Sequence, residues 1–352
     1  MIKVLLVDDS ALARLHVRHA IEAAPDMQVV GMAANGAEAL EMAKRVKPDV
    51  ITMDLDMPGI DGYAATCGIM ETAPIPIVVV SGLSDVRAQA VTMRALEAGA
   101  VAVLSRPPAL SHPDYARSCK ELQDTIRTCS EVRLVRRYQY KNTRTMPAAV
   151  PSTTVPRTPT ARLTDKAVVV LGASTGGPVA LMELLGRLSK KFPLPICVVQ
   201  HIAAGFTESM AQWLNKALDI DVAVAQAGEQ LLPGRVLLAP HGSHLSVDAG
   251  RKVQLRVGPA EHGMVPAVSV MFRSVAANLG PQSVGVLLTG MGSDGAAELG
   301  AMRRAGAVTF AQDATTSLVF GMPGEAVRLG AATHVLPPAA IAAELLKLTA
   351  HL

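Results

Sequence analysis

The chain has 352 residues, a formal net charge of +3 and 50% hydrophobic residues. This length is too great for one ordinary core and favours two domains, and the apolar content excludes a globally disordered chain. The small net charge does not indicate nucleic-acid binding, and four scattered cysteines without a Cys-x-x-Cys pair favour neither a disulfide framework nor a zinc site.

The N-terminus does not have the pattern of a secretion signal, because Asp8 and Asp9 interrupt the first apolar run. No apolar stretch approaches the length that spans a membrane. We therefore expect a reduced, cytoplasmic protein without direct membrane insertion.

The first part of the chain alternates short apolar runs with amphipathic stretches. This alternation predicts buried parallel strands joined by helices. The predicted strands are 4–7, 29–32, 50–53, 77–80 and 101–104, and the predicted helices are 11–24, 36–46, 63–71, 86–98 and 114–137. Five strands at this spacing are typical of a doubly wound α/β domain of the flavodoxin-like type, with a five-stranded parallel sheet.

The composition changes after these elements. Residues 138–164 hold four prolines among threonines and basic residues, without an apolar period, which predicts an extended and flexible linker. The domain boundaries that we predict are therefore 1–118 for the first domain, 119–163 for the helix end and linker, and 164–352 for the second domain.

The second half of the chain alternates strand and helix patterns again. Its predicted strands are 167–171, 196–199, 236–239, 284–289 and 307–310. A hairpin-like stretch at 244–257 adds antiparallel pairing, which favours a mixed sheet. We expect a second, larger, doubly wound α/β domain whose sheet is mainly parallel.

Polar side chains follow each of several strands in the first domain. Asp8 and Asp9 end the first strand, Asp54 the third, Ser81 the fourth and Arg106 the fifth, all at one edge of the sheet. Three converging carboxylates repel one another unless a cation lies among them, and all-oxygen ligands suit Mg²⁺. A carboxylate such as that of Asp54 can also accept a phosphoryl group.

Residues 1 to about 110 resemble the receiver domain of response regulators, in the segments LLVDDSALAR, DVITMDLDMPGIDGY, VVVSGLS and VLSRPP. The resemblance implies that Asp54 is the phosphorylated residue. It also implies that Asp8, Asp9 and Asp54, with the backbone carbonyl of Asp56, hold Mg²⁺.

The same resemblance implies a switch at the other strand ends and a phosphodonor. Ser81 matches the switch hydroxyl, and Arg106 stands where the family usually has lysine. A planar guanidinium is not equivalent to a compact ammonium, so phosphorylation or signal transmission is expected to differ. The implied phosphodonor is a histidine kinase.

In the second half, the segment VVVLGASTGGP places Ser174 in a glycine-rich turn between a predicted strand and a helix. A P-loop would need lysine where Pro178 stands, and a dinucleotide fingerprint would need glycine in place of Ser174. The segment does fit Gly-x-Ser-x-Gly, the elbow that exposes a nucleophilic serine. For an isolated match, a strand-to-helix turn with a capping serine remains the alternative.

A nucleophilic serine needs a base and an acid that orients the base. Histidines follow two predicted strands, as His201 and as the pair His241 and His244, and His262 lies in a loop-like stretch. No further ligand cluster completes a metal site around His241 and His244, so we interpret both as loop residues. Asp294 follows another strand in a turn rich in glycine, where it is either a helix N-cap or the orienting acid.

The segments LGASTGGPVAL, VVQHIAAGFTESMAQWLN, LLTGMGSDGA, AQDATTSLVFGMPGEAV and VLPPAAIA resemble the catalytic domain of chemotaxis receptor protein-glutamate methylesterases. The resemblance implies Ser174 as nucleophile, His201 as general base and Asp294 as the orienting acid, without a cofactor. We expect backbone N–H groups near Thr175 and Met291 to bind the oxyanion.

The combined resemblance covers nearly the whole chain and implies a phosphorylation-activated serine esterase. Such an enzyme hydrolyses glutamate methyl esters on methyl-accepting chemoreceptors and also deamidates receptor glutamines. Two positions depart from the family, since Val265 and Ser269 replace a common arginine and aspartate. The alternatives are a DNA-binding output domain, which the absence of a short helix-turn-helix pattern disfavours, and an adaptor without turnover.

Overall fold

The computed structural model describes residues 1–82, 96, 98–130, 163–164, 167–202 and 205–352. The helix predicted at 86–98 lies almost entirely outside the described residues. Residues 131–162, which include most of the predicted linker, lie outside them as well.

The first domain has five strands with helices between them. Its elements are β1 (Ile2–Val7), α1 (Ala11–Glu22), β2 (Met27–Ala33), α2 (Gly36–Val46), β3 (Val50–Met53), α3 (Gly62–Thr72), β4 (Ile77–Ser81), β5 (Ala102–Ser105) and α4 (Tyr115–Ser130). The strands pair in parallel in the order β2-β1-β3-β4-β5, which confirms the predicted five-stranded doubly wound fold.

Three helices of this domain begin at side chains that cap their first turns. Ser10 accepts a hydrogen bond from the backbone of α1, Asn35 from that of α2 and Asp61 from that of α3. Such caps satisfy N–H groups that have no partner within the helix. They also fix where the chain leaves each strand, and so place the loops at the carboxyl edge of the sheet.

The second domain is larger. Its elements are β6 (Val168–Ala173), α5 (Gly177–Leu185), β7 (Ile196–Gln200), α6 (Thr207–Ala217), β8 (Asp221–Val224), β9 (Arg235–Leu238), β10 (His244–Val247), β11 (Val253–Arg256), α7 (Val268–Asn278), β12 (Ser283–Leu287), α8 (Ala296–Arg304), β13 (Val308–Gln312), α9 (Met322–Arg328), β14 (His334–Leu336) and α10 (Pro338–Thr349).

Seven of these strands form one sheet in the order β14-β13-β12-β6-β7-β9-β8, and all its pairings are parallel. The chain runs outward from β6 in both directions, to β7 on one side and to β12 on the other. Loops at the carboxyl ends of strands that diverge in this way enclose a crevice, where doubly wound folds bind their ligands. The three strand ends that meet there are those of β6, β7 and β12.

The expectation of a mixed sheet is wrong. The predicted hairpin exists, but β10 and β11 form a separate two-stranded antiparallel sheet. The reason lies in α7: Ser274 accepts the backbone N–H of Val247, and Asn278 donates to its carbonyl. These bonds hold the hairpin on the helix rather than on the main sheet. The short edge strands β8 and β14 were not predicted.

Among the helices that the structure describes, none has both the length and the apolar character needed to cross a bilayer.

Candidate active site and acidic pocket

Ser174 lies in the turn that joins the central strand β6 to α5. Its backbone N–H donates to the carbonyl of Thr289 at 3.0 Å, and its carbonyl accepts from Gly177 at 2.8 Å. Gly176 has a φ of +78°, and a Cβ there would lie 2.6 Å from the Cβ of Leu318. The turn therefore requires glycine, both for its left-handed backbone and for its close packing. Within the described residues, the Ser174 hydroxyl makes no hydrogen bond.

His201 follows β7, directly beside this turn. The register pairs Ala173 with Gln200, and the His201 N–H donates to the Ala173 carbonyl at 2.9 Å. The buried Gln200 side chain donates to the carbonyls of both Ser174 and His201 at 2.8 Å. These two hydrogen bonds link the residues that follow β6 and β7. Sequence reasoning missed Gln200, although an uncharged polar residue closing an apolar strand was a usable signal.

The imidazole of His201 is held by Asp294. His201 Nε2 lies 2.9 Å from Asp294 Oδ2, and the two side chains are 6% and 3% exposed. Because a carboxylate oxygen accepts, Nε2 carries the proton of the neutral ring. Nδ1 is buried and has no hydrogen-bond partner among the described residues. It is the nitrogen left to receive a proton.

Asp294 caps a helix, but not the one that follows it. The N-cap of α8 is Gly295, so the N-cap alternative is wrong for that helix. Instead, Asp294 accepts the backbone N–H groups of Val268 at 2.7 Å and Ser269 at 2.9 Å, which belong to the first turn of α7. It also accepts a short hydrogen bond from the Ser269 hydroxyl.

These donors determine the charge of the carboxylate. Burial by itself raises the pKa of Asp294, but the hydrogen bond and charge of His201 and the donors of Ser269 outweigh it. The pKa of Asp294 consequently lies below its usual value of 3.8. The group is an anion at neutral pH, as an orienting acid must be.

The two residues predicted for oxyanion binding lie in adjoining turns. Thr175 follows Ser174, and its carbonyl accepts the Thr289 hydroxyl at 2.9 Å. Met291 follows Gly290, where a Cβ would lie 2.7 Å from the Cβ of Ser174. The role of both residues stays a prediction.

Within the part of the chain that the structure describes, no hydrogen bond joins the other candidate histidines to Ser174. His241 and His262 are exposed. The loop interpretation is wrong for His244, which begins β10, is buried, bonds through Nε2 to the Pro259 carbonyl and accepts the Ala267 N–H at Nδ1. Its ring fastens the chain that leads into α7.

The first domain brings three predicted carboxylates together. Asp8, Asp9 and Asp54 each offer an oxygen, and these atoms all lie within 4.8 Å of one another. The guanidinium of Arg106 lies 2.7 Å from Asp8 and 3.2 Å from Asp54. A single nitrogen of the guanidinium, Nη2, makes both of these contacts.

The surroundings of Asp54 in this pocket disfavour its ionised form. Burial, and then the charge of Asp8, raise the pKa of Asp54 from 3.8 to about 6, although Arg106 lowers it. An oxygen-only donor set with surplus negative charge fits Mg²⁺. Ser81 is buried at the same edge, where its carbonyl accepts the Arg106 N–H at 3.0 Å, and Asp56 is exposed.

The two domains touch beside the Ser174 turn. The Thr128 hydroxyl of α4 lies 2.9 Å from the Met291 sulfur. Leu318, which covers Gly176, also packs against the core cluster of the first domain. A cavity of about 340 Å³ opens at this contact, lined by Arg127, Thr128, Met291, Gly292, Val319, Phe320 and Gly321.

Comparison with known proteins agrees with this arrangement. Residues 169–345 match the family model described as CheB methylesterase, and residues 4–112 match that of the response regulator receiver domain. The chain is 47% identical to protein-glutamate methylesterase/protein-glutamine glutaminase 4 of Geobacter metallireducens, over 96% of each chain. It is 43% identical to an enzyme of the same name, numbered 2, from Methanospirillum hungatei, over 97% of each.

A solved structure matches the second domain. The crystal structure of the Thermotoga maritima CheB methylesterase catalytic domain is 37% identical, with a TM-score of 0.51. The match covers 52% of this chain and 98% of that one.

Proposed function

This chain belongs to the CheB methylesterase family and carries a response regulator receiver domain, and from that premise we propose that Ser174 is its nucleophile. The enzyme class is protein-glutamate methylesterase with protein-glutamine glutaminase activity. The proposed substrates are glutamate methyl esters on the cytoplasmic helices of chemoreceptors, which places the enzyme in the cytoplasm. We expect no nucleic-acid partner.

The observation that carries the proposal is the paired His201 and Asp294 beside the Ser174 turn. Nε2 of His201 is committed to Asp294, and the unpartnered Nδ1 remains to act as base. In the first step the Ser174 oxygen attacks the ester carbonyl, and its proton passes to Nδ1. The tetrahedral intermediate then expels methoxide, which takes that proton and leaves as methanol.

Hydrolysis of the acyl-enzyme repeats the same proton movements. Water gives its proton to His201 as it attacks, and Ser174 regains a proton when the glutamate carboxylate leaves. A glutamine side chain enters the same sequence with ammonia as the leaving group, which accounts for deamidation. The N–H groups near Thr175 and Met291 would stabilise the negative oxygen in each step.

In the receiver domain, Asp54 would accept a phosphoryl group from a histidine kinase. Asp8, Asp9, Asp54 and the carbonyl of Asp56 would hold Mg²⁺, which when bound offsets the charge of the acids and of the incoming phosphoryl group. Ser81 and Arg106 would then contact the phosphoryl oxygens.

The contact between the domains supports restraint of the esterase by the unphosphorylated receiver. Leu318 joins the receiver core to the turn that holds Ser174, and Met291 contacts Thr128. Phosphorylation would release this contact and open the crevice.

Methanol release from methylated receptor, by the wild-type chain and by single variants, tests the proposal. Ser174→Ala and His201→Ala should fall to the same low rate, because members of a triad act as a unit. Asp294→Asn should retain more activity, since its group orients the base and does not transfer the proton. His241→Ala is the control, and we expect it to keep the wild-type rate.

Turnover by Ser174→Ala at the wild-type rate would contradict the assignment of the nucleophile. An inactive His241→Ala beside an active His201→Ala would contradict the choice of base. A chain that binds receptor without releasing methanol would instead be the adaptor.

A further inference from the structure

We propose that Ser269 is a positioning residue of the esterase site, whose hydroxyl fixes the carboxylate of Asp294 so that it faces His201. The inference rests on the proposed function, because it assigns Ser269 a role within the proposed triad. At this position the resemblance leads one to expect an aspartate, so the role belongs to the serine of this chain.

The first observation is how the donors divide between the two carboxylate oxygens. Oδ2 of Asp294 accepts from His201 and from the backbone of Val268, whereas among the described residues Oδ1 accepts from Ser269 alone. The backbone N–H and the hydroxyl of Ser269 both reach Oδ1. Rotation of the carboxylate away from the imidazole would break both of these bonds.

The second observation is that the Ser269 hydroxyl is itself held in place. It accepts the backbone N–H of Gly295 at 3.1 Å while it donates its proton to Asp294, and the residue is fully buried. A hydroxyl can do both at once because it is donor and acceptor. Ser269 thus joins the first turn of α7 to the loop that carries Asp294.

The physical consequence concerns the base. A buried charged group whose hydrogen-bond donor is removed loses more stabilisation than a neutral one. Without the hydroxyl, Oδ1 keeps a single donor, and the carboxylate is held less firmly against rotation about its last bond. The His201 ring would then be held less firmly, which slows the proposed proton transfer to Nδ1 without altering how substrate binds.

The experiment compares Ser269→Ala with Ser274→Ala in the full chain. Ser274 is on the same helix, and its hydroxyl bonds to the backbone of Met271 and Val247 instead of to the carboxylate. For Ser269→Ala we expect kcat of methanol release to fall about 10-fold or more with KM unchanged. Ser274→Ala should keep the wild-type kcat.

Two further readouts separate positioning from a general loss of structure. The rate at which a fluorophosphonate probe labels Ser174 should fall by the same factor in Ser269→Ala. The far-downfield proton resonance of the His201–Asp294 hydrogen bond should broaden or disappear in that variant alone. Equal behaviour of the two variants in labelling and in this resonance would overturn the inference.

The labelling assay also distinguishes this inference from the proposed function. If the wild-type chain labels at Ser174 but releases no methanol from receptor, the proposed substrate is wrong, and the labelling rates still decide the role of Ser269. If Ser174 is not labelled at all, the triad is wrong and the role of Ser269 falls with it.

Discussion

The pKa values of two buried aspartates of this chain are shifted in opposite directions. The pKa of Asp294 is lowered because His201 and Ser269 supply enough donors to outweigh burial. The pKa of Asp54 is raised to about 6 because burial and the neighbouring Asp8 outweigh the single guanidinium of Arg106. The residue type is the same, and the balance of burial, neighbouring charges and hydrogen-bond donors decides the direction of the pKa shift.

The first prediction concerns the free energy of unfolding that the receiver domain loses when Asp54 is ionised in the absence of Mg²⁺. Its folded-state pKa of about 6 exceeds the unfolded value of 3.8. The stability that its protonation contributes is therefore present at low pH and is lost as the pH rises through about 6. At about pH 8 in a chelator, Asp54→Asn should stabilise the receiver domain by roughly 1–3 kcal/mol.

Urea denaturation followed by circular dichroism measures this change. Trp213 is the single tryptophan and lies in α6, so its fluorescence reports the esterase domain separately. The gain should shrink at about pH 5 and on addition of Mg²⁺. Glu41→Gln, which replaces an exposed carboxylate of α2, is the control. If Asp54→Asn is no more stable than wild type at the higher pH, ionised Asp54 does not destabilise the receiver domain.

At the scale of elements, two turns of the site lie so close together that there is no room for a side chain between them. The turn after β12 runs directly against the turn after β6, with Gly290 facing Ser174. A Cβ at Gly290 would lie 2.4 Å from the Met322 sulfur and 2.7 Å from the Ser174 Cβ. Glycine is required at this position because a side chain would have no space, and not because of the backbone conformation.

The second prediction follows from this contact. Gly290→Ala should destabilise the esterase domain by about 1–3 kcal/mol, because the added methyl group overpacks a closed site. It should also lower kcat, since the displaced atom belongs to Ser174. Trp213 fluorescence in urea and methanol release measure the two effects.

Gly258→Ala is the matched control. Its Cβ would have its nearest neighbour, His244 Cδ2, at an ordinary 3.5 Å. Similar stability and turnover in the two variants would mean that the two turns can move apart without loss of stability or activity, which would contradict the prediction.

At the scale of the whole molecule, α4 of the receiver lies against the rim of the esterase crevice. Thr128 contacts Met291, and Leu318 packs on both the receiver core and Gly176. One contact surface is thus shared by the last described helix of the receiver and the turn that carries Ser174.

The third prediction is that a bulky residue at this surface mimics phosphorylation. Thr128→Trp should raise the basal rate of the unphosphorylated chain by roughly 5–150-fold, the range typical of such couplings, and leave the phosphorylated rate unchanged. Methanol release with and without a small phosphodonor measures both rates.

Arg117→Trp is the control, because that side chain lies on the same helix and is 78% exposed. A basal rate in Thr128→Trp at or below that of wild type would argue that the receiver activates the esterase by contact instead of restraining it.

Local patterns in the sequence determined much of this protein. Short apolar runs predicted the strands of the two parallel sheets apart from the edge strands β8 and β14, because parallel strands are buried on both faces. Polar residues at strand ends predicted which side chains share an edge, and Asp8, Asp9 and Asp54 do lie together there. The resemblance of two long segments to known domains, in a fixed order, then indicated the family.

Tertiary structure alone decided what those side chains contact. The hairpin at 244–257 could have joined the main sheet, but side chains of α7 and the backbone of residues 228–231, both outside the hairpin, bond to it elsewhere. Asp294 caps α7 rather than its own helix, and Gln200 and Ser269 gain their roles from partners 26 and 25 residues away. Periodicity reports which face of an element is buried, whereas hydrogen-bond partners depend on how the elements are packed together.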